Sequence, residues 1–379
     1  MLKVLAILGT RPEAVKMAPV IRQMMTVPEI DVKVCLTAQH REMLDQVLEL
    51  FAIRADVDLN LMRPNQSLAS LTADIFNGLD PVLEKLLPDW VLIQGDTTTV
   101  MVAALLAYYR QIRVGHVEAG LRTGNKWQPF PEETNRKVVG IVADLHFAPT
   151  VESRENLLRE GVPDWRIVVT GNTVVDALQD VVSRPETEEF GAWIEQLGIT
   201  AHSRLVLVTA HRRENFGRPL ENICTALRLL AEKYGDRIVI VYPVHLNPNV
   251  QEPVYRLLSG IGNIRLIPPQ DYLRMVGLLK RAYIILTDSG GIQEEATALR
   301  KPTLVLRNVT ERPEGVSAGI LKLTGCNVEN ILEEASRLLD DVDAYQKMAN
   351  AKNPFGDGHA AERIVQALLA FEDLSSKGV

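Results

Sequence analysis

From its first residues the chain alternates short, continuous apolar runs with longer amphipathic stretches, and nothing else in the sequence constrains the fold as much. Runs at 3–8, 32–37, 90–94, 113–117 and 145–148 are separated by helical patterns at 13–25, 41–50, 67–87 and 98–109. A second series starts near Arg204, with runs at 205–209, 238–242, 264–267, 283–286 and 303–306 and helical patterns at 220–233, 272–281 and 292–299. Runs this short, without polar alternation, read as strands buried on both faces, and a parallel sheet covered by helices is the arrangement that buries them. The expectation is an α/β chain with two doubly wound, Rossmann-like domains and a cleft to which both contribute. Residues 181–202 carry Ser-Arg-Pro and an acidic run and read as an exposed segment in or beside the linker, so the second domain should begin between Gly171 and Ser203. A last helical pattern covers 359–371.

Composition narrows what such a chain does. The 41 Lys+Arg against 48 Asp+Glu leave a net charge of −7, which speaks against a general nucleic-acid or anionic-membrane binder but is compatible with a local basic pocket. Cys35, Cys224 and Cys326 are widely spaced and odd in number, so neither a disulfide framework nor a cysteine zinc site is expected. The longest apolar run, 100–109, is too short to cross a bilayer, and the apolar N-terminal stretch leads into charge without a small-residue cleavage site. A cytoplasmic protein is expected, with neither nucleic acid nor membrane as partner.

In doubly wound sheets ligands bind beyond the carboxyl ends of the strands, so the loops there carry the chemistry. The first, Gly9-Thr10-Arg11-Pro12-Glu13, contains neither GxGxxG nor GxxxxGK[ST], which speaks against a dinucleotide cofactor and a P-loop. Its helix start, with Arg11 and Lys16, suits an anion; an ordinary capped helix with a solvated Arg is the alternative. Near the end of the second series a strand runs through Asp288 into Ser289-Gly290-Gly291 and a helix. Two glycines let backbone amides approach a phosphate, Ser289 adds a donor, and Glu295 (better than Glu294) reaches a ribose diol. A glycine-rich turn before an acidic first turn is the plainer reading.

Asp96, in Gly95-Asp96-Thr97, would alone be taken as a helix cap. Yet His116-Val117-Glu118 and Phe130-Pro131-Glu132-Glu133 follow in neighbouring loops, with Arg122 and Arg136 nearby. Three loops thus each offer a carboxylate at one sheet edge, and gathered carboxylates beside an anion suit acid/base work because burial and crowding spread their pKa values. In the second series Ala210-His211-Arg212-Arg213 and Val244-His245-Leu246 follow strands. No metal-ligand spacing and no GxSxG occurs, so neither a metal site nor a serine nucleophile is expected.

Together these segments resemble the bacterial non-hydrolysing UDP-N-acetylglucosamine 2-epimerases. The resemblance rests on LGTRPEAVKMAPVI, TAQHREMLDQVL, VLIQGDTTTV, GHVEAGLRT, PFPEETNR, GNTVVDAL, TAHRREN, YPVHLNP, LTDSGGIQEEA and RNVTERPEG, in order from residue 3 to about 315. It implies the two-domain glycosyltransferase-B fold, with 1–170 as the first domain, completed by a closing helix over 357–379, and 171–356 as the second. It also implies interconversion of UDP-GlcNAc and UDP-ManNAc at C2 without cofactor or metal, for cell-surface polysaccharide synthesis, by a homodimer whose domains close to exclude water. C2 is not next to a carbonyl, so the implied route eliminates UDP to a 2-acetamidoglucal and adds it back. By resemblance Asp96, Glu118, Glu132 and His211 are catalytic. Arg11, Lys16, Arg136, Ser289, Gly290, Gly291 and Arg312 would hold the diphosphate sugar, with Glu295 on the ribose and Gln270 near the uracil. Met275 stands where some relatives have Phe, a change in packing around the base. Gln39, His40, Arg213 and His245 match a second, activating UDP-GlcNAc site, where Glu42 replaces an expected Gln.

The same architecture serves retaining glycosyltransferases, but sugar transfer does not require Asp96, Glu118 and Glu132 together. A hydrolysing epimerase would release free ManNAc, and a silent sugar-nucleotide sensor would not need the catalytic set. An epimerase for a UDP-2,3-diacetamido uronic acid shares the chemistry and differs at C3 and C6.

Overall fold

The computed structural model describes residues 1–37, 41–63, 66–200 and 202–371, without the side chains of 41–43. It divides into two units: Met1–Ala177 with the chain from Gly356 onward, and Leu178–Phe355. The division falls inside the helix Thr173–Ser183. The first turn of that helix belongs to the first unit because Asp176 Oδ1 accepts the Ala361 amide at 2.8 Å.

The first unit holds seven parallel strands: β1 (Leu2–Leu8), β2 (Ile30–Leu36), β3 (Val57–Asp58), β4 (Trp90–Gln94), β5 (Arg113–Val117), β6 (Leu145–Ala148) and β7 (Ile167–Val169). Their order is β3-β2-β1-β4-β5-β6-β7, so the winding reverses between β1 and β4. β4 is buried along its whole length, as a strand covered by helices on both faces must be. The following helix, Thr98–Tyr109, is apolar nearly all round and buried over its first turns. Thr97 caps it by accepting the Val100 amide, and Thr10 caps the helix Arg11–Met25 through the Glu13 amide. The closing helix, Ala360–Leu369, packs on Arg11–Met25, and Phe371 meets buried Trp90 edge-on at 4.9 Å. Arg113 lies 4.7 Å over the Phe371 ring. Fully burying one side chain of this size contributes about 1.5–3 kcal/mol, so these contacts anchor the chain end firmly.

The second unit holds six parallel strands: β8 (Arg204–Thr209), β9 (Ile238–Pro243), β10 (Ile264–Ile267), β11 (Ile284–Thr287), β12 (Thr303–Val305) and β13 (Leu321–Leu323). In the order β10-β9-β8-β11-β12-β13 the winding reverses between β8 and β11. One face of the sheet packs a core around Val206, Ile240, Leu227 and Leu338, and the other packs Leu207, Val241, Leu279 and Ile285.

Both units are doubly wound, as the alternation of runs predicts, but each sheet is larger than five strands. β3, β7 and β13 are two or three residues long, too short to show a period. The stretch read as an exposed linker contains a helix, Glu188–Gln196, capped by Thr187 with Ile194 buried. Its acidic residues face solvent and hide a narrow apolar stripe.

Candidate active site

In a doubly wound sheet the crevice for ligands lies where the strand order reverses. In the first unit that point is flanked by the turn after β1 and the turn after β4, which carry Thr10, Arg11 and Asp96. Gly95, at φ +86°, takes the left-handed turn that ends β4, and its amide donates to Val117 O of β5 at 3.0 Å. Asp96 then meets the Arg136 guanidinium at 2.5 Å, and Asn135 Nδ2 donates to the Asp96 carbonyl at 2.8 Å. Arg136 also donates to Glu133, whose carboxylate accepts the amides of Thr123 and Gly124 at 3.1 and 3.0 Å. One cation therefore fixes the orientation of Asp96 against a loop and a helix.

Glu118 follows β5 with φ +65°, a left-handed conformation that costs a non-glycine residue of order 1–3 kcal/mol. The strained backbone delivers a buried carboxylate whose Oε2 accepts from Lys16 Nζ at 2.5 Å and Gln94 Nε2 at 2.6 Å. Glu132 opens the helix Glu132–Val142 and is half-buried, and Arg11 is half-buried on the first turn of its helix. His116, buried one residue pair before Glu118, meets Gly95 O through Nε2 at 2.8 Å. Burial pushes its pKa down to about 4.

Glu13 escaped the sequence reading. Its carboxylate accepts the Gly9 amide at 2.6 Å and the Thr10 hydroxyl at 3.0 Å. Burial pushes its pKa up to about 7, against these bonds and Thr97, with the nearby charge of Asp96 adding to the rise. The Thr10-x-x-Glu13 spacing of a capping box was the available signal. Gln94, the second donor to Glu118, left none, because a polar residue ending a buried strand is common.

The second unit gathers its groups at its own reversal point. β8 and β11 are joined by the Thr209 and Thr287 hydroxyls at 2.6 Å, and beyond them His211 and Asp288 face each other. Ser289 precedes the helix Gly290–Ala298 and does not cap it with its side chain. A Cβ on Gly290 would lie 2.5–3.0 Å from the Arg312 guanidinium, whereas a Cβ on Gly291 would meet nothing within 4 Å. Gly290 thus admits Arg312 to the helix start, and open space lies beside Gly291.

Arg312 is held by Glu294 at 2.8 Å and Glu311 at 3.3 Å. Burial alone would raise the Glu311 carboxyl, but Arg312 and Arg307 outweigh it and bring it down to about 2. Glu295 and Gln270 are buried, and Gln270 Nε2 donates to Pro268 O at 2.6 Å. Met275 packs, partly buried, on the core beneath. His245, expected at a second nucleotide site, stacks on His211 with ring centroids 5.2 Å apart, while Arg213 is exposed. Gln39 and His40 lie outside the described residues, and Glu42 lies in the helix Arg41–Leu50 with its side chain undescribed.

Among the described residues no group of His, Cys, Asp and Glu is arranged to hold a metal ion, and no helix is long and apolar enough to cross a membrane.

The family model for UDP-N-acetylglucosamine 2-epimerase matches residues 22–369. The chain is 54% identical over 370 residues to the UDP-N-acetylglucosamine 2-epimerase of Yersinia pestis, covering 97% of this chain and 98% of that one. It is 55% identical to a probable UDP-N-acetylglucosamine 2-epimerase of Ralstonia nicotianae, covering 98% of this chain and all of that one. Among solved structures it is similar to the UDP-GlcNAc 2-epimerase of Neisseria meningitidis bound to UDP-GlcNAc, with TM-score 0.93 and 51% identity over 97% of this chain and 100% of that one. The enzyme of Methanocaldococcus jannaschii in complex with UDP-GlcNAc and UDP gives TM-score 0.85 at 34% identity, covering 97% and 99% of the two chains.

Proposed function

Since the chain belongs to the UDP-N-acetylglucosamine 2-epimerase family and is an isomerase of that kind, we propose that it inverts C2 of UDP-GlcNAc by eliminating UDP and adding it back. A carboxylate takes the C2 proton, the C1–O bond breaks toward the β-phosphate oxygen, and a C1=C2 double bond forms in 2-acetamidoglucal. UDP then re-forms the C1–O bond while a second group returns a proton to the opposite face of C2. The observation that carries this reading is the set of oriented carboxylates at the carboxyl edge of the first sheet: Asp96 on Arg136 and Glu118 on Lys16. Proton transfer at two faces needs two acid/base groups, each worth typically ~10²–10⁴-fold. Glu132 completes the set at the start of the next helix. In the second unit His211, Ser289, Gly290, Gly291 and Arg312 hold the diphosphate, where preorganised N–H groups and a fixed cation favour a departing phosphate. Glu295 takes the ribose and Gln270 the uracil.

The test is an NMR time course with UDP-GlcNAc in deuterium oxide. UDP-ManNAc carrying deuterium at C2 is the expected product. Free ManNAc would assign hydrolysis instead, and an unchanged spectrum would move the substrate to another C3 or C6 substituent. The phosphate assignment has its own check. In Gly290→Ala the new Cβ displaces Arg312, which its two buried carboxylates prevent from swinging away freely. UDP affinity measured by calorimetry should weaken about tenfold, or ~1.4 kcal/mol. An unchanged Kd would remove Arg312 from the phosphate site.

A further inference from the structure

Asp288 is fully buried at the carboxyl end of β11. Its Oδ2 is saturated by three N–H groups: the amides of His211 and Arg212 at 2.9 and 2.8 Å, and Asn215 Nδ2 at 3.0 Å. These three bonds fix the plane of the carboxylate. Its Oδ1 is equally buried and has no hydrogen-bond partner among the described residues. A buried charged oxygen left without a donor is costly, so such an atom calls for an explanation. His211 Nδ1 stands 3.7 Å from it. That is too long for a hydrogen bond, but the imidazole side chain is 37% exposed and has room to turn.

We propose that Asp288 is the positioning residue of His211: Oδ1 accepts the Nδ1–H, fixes that tautomer, and favours the imidazolium, so that Nε2 is the nitrogen offered to the diphosphate. The inference rests on the reading of His211 given above. In that reaction the Nε2–H of the imidazolium donates to the β-phosphate oxygen that receives the electron pair of the C1–O bond. No proton has to change hands in this contact.

The surroundings direct the charge to His211 rather than to its neighbour. His245 stacks on it at an interplanar angle of 8°, and two cationic rings so placed would repel. The Asn247 amide donates to His245 Nδ1 at 3.1 Å, a bond that suits the Nε2–H tautomer of that ring. Burial holds the His211 imidazole below its ordinary pKa; Asp288 acts against burial, while His245 and Arg212 on the same loop add to the lowering. Beyond Asn215, Glu214 and Glu311 are engaged by Arg307. Cys326 donates its thiol proton to Asn215 Oδ1, and Tyr242 donates its hydroxyl to Ala210 O. None of these supplies Oδ1 with a donor.

Nitrogen-15 NMR of the imidazole in the intact protein, with and without UDP, tests the assignment. Neutral His211 should carry its proton on Nδ1, and its titration should move upward when UDP binds. Asp288→Asn keeps an oxygen for the three N–H groups and turns an NH2 toward Nδ1. The tautomer should then switch to Nε2–H, the His211 titration should fall by at least one pH unit, and kcat should drop roughly tenfold or more with a displaced pH profile. Wild-type His211 protonated on Nε2 alone would overturn the inference without any variant. So would a D288N protein whose His211 tautomer and titration are unchanged. If the tautomer switches while His211→Asn epimerises at the full rate, the Asp288–His211 pairing stands and the role given to His211 in catalysis falls.

Discussion

Glu118→Gln is expected to lower kcat for epimerisation by ~10²–10⁴-fold, the range for losing one acid/base group. The substitution changes a single atom, so the left-handed backbone at φ +65° and the burial of the side chain are kept. Charge and proton affinity are lost. Lys16, which meets Oε2 at 2.5 Å, loses that negative charge, and part of the effect will be structural. Two measurements separate the parts. UDP affinity should change less than threefold if the nucleotide is held by the second unit, and deuterium entry at C2 should fall in step with kcat. A variant that keeps a tenth of wild-type kcat, or that loses UDP binding instead of exchange, would take Glu118 out of C2 proton transfer. Glu118→Gly is the companion: it relieves the positive φ but removes the carboxylate, so it should be as inactive as Glu118→Gln.

Where the groups sit was legible from the sequence; how they pair was not. β4 and β5 announce themselves as apolar runs, so the residues following them, Asp96 and Glu118, could be placed at one sheet edge. Lys16 lies 102 residues from Glu118 in the chain, and no local pattern records that they meet. The same holds for Asp288 and His211, 77 residues apart: Asp288 reads as a polar residue at a strand end before the Ser-Gly-Gly turn, and only the pairing of β8 with β11 brings it under the histidine. Glu13 shows a second kind of loss. Its capping spacing is visible in the sequence, but its raised pKa comes from burial under the turns after β1 and β4, which is a property of the packed unit. The stacking of His245 on His211 is equally silent in the sequence, because each follows its own strand and neighbouring strands do not reveal which loop side chains stack.

Three buried groups of the first unit make its stability depend on pH in a way that a single substitution should expose. His116 and His146 face each other in the register of β5 and β6, and burial pushes their pKa values down to about 4 and about 3. Between the unfolded value near 6.5 and these folded values, the unfolded chain binds protons that the native unit refuses. Their contribution is therefore intact above pH 7 and is lost as the pH falls, by about 2 kcal/mol for each histidine between pH 7 and pH 5. Glu13 works in the opposite sense. Its folded pKa of about 7 exceeds the unfolded value, so its neutral form stabilises the native unit at low pH, and that contribution is lost as the pH rises through 7. Between pH 7 and pH 5 it returns about 2 kcal/mol, roughly cancelling one histidine. Glu311, held near 2, begins to matter only below about pH 4.5 and belongs to the other unit. From these three groups the first unit should thus lose about 2 kcal/mol on going from pH 7 to pH 5 in the wild-type protein, and about 4 kcal/mol in Glu13→Gln. Gln keeps an oxygen for the Gly9 amide, so the variant should be the more stable protein at pH 8 and fall away faster on acidification. Amide exchange protection of β5 and β6, corrected for intrinsic rates at each pH, reads this difference in the first unit alone. Parallel pH profiles for wild type and Glu13→Gln would mean that the Glu13 carboxyl is already ionised at pH 5, and the opposing role assigned to it would be wrong.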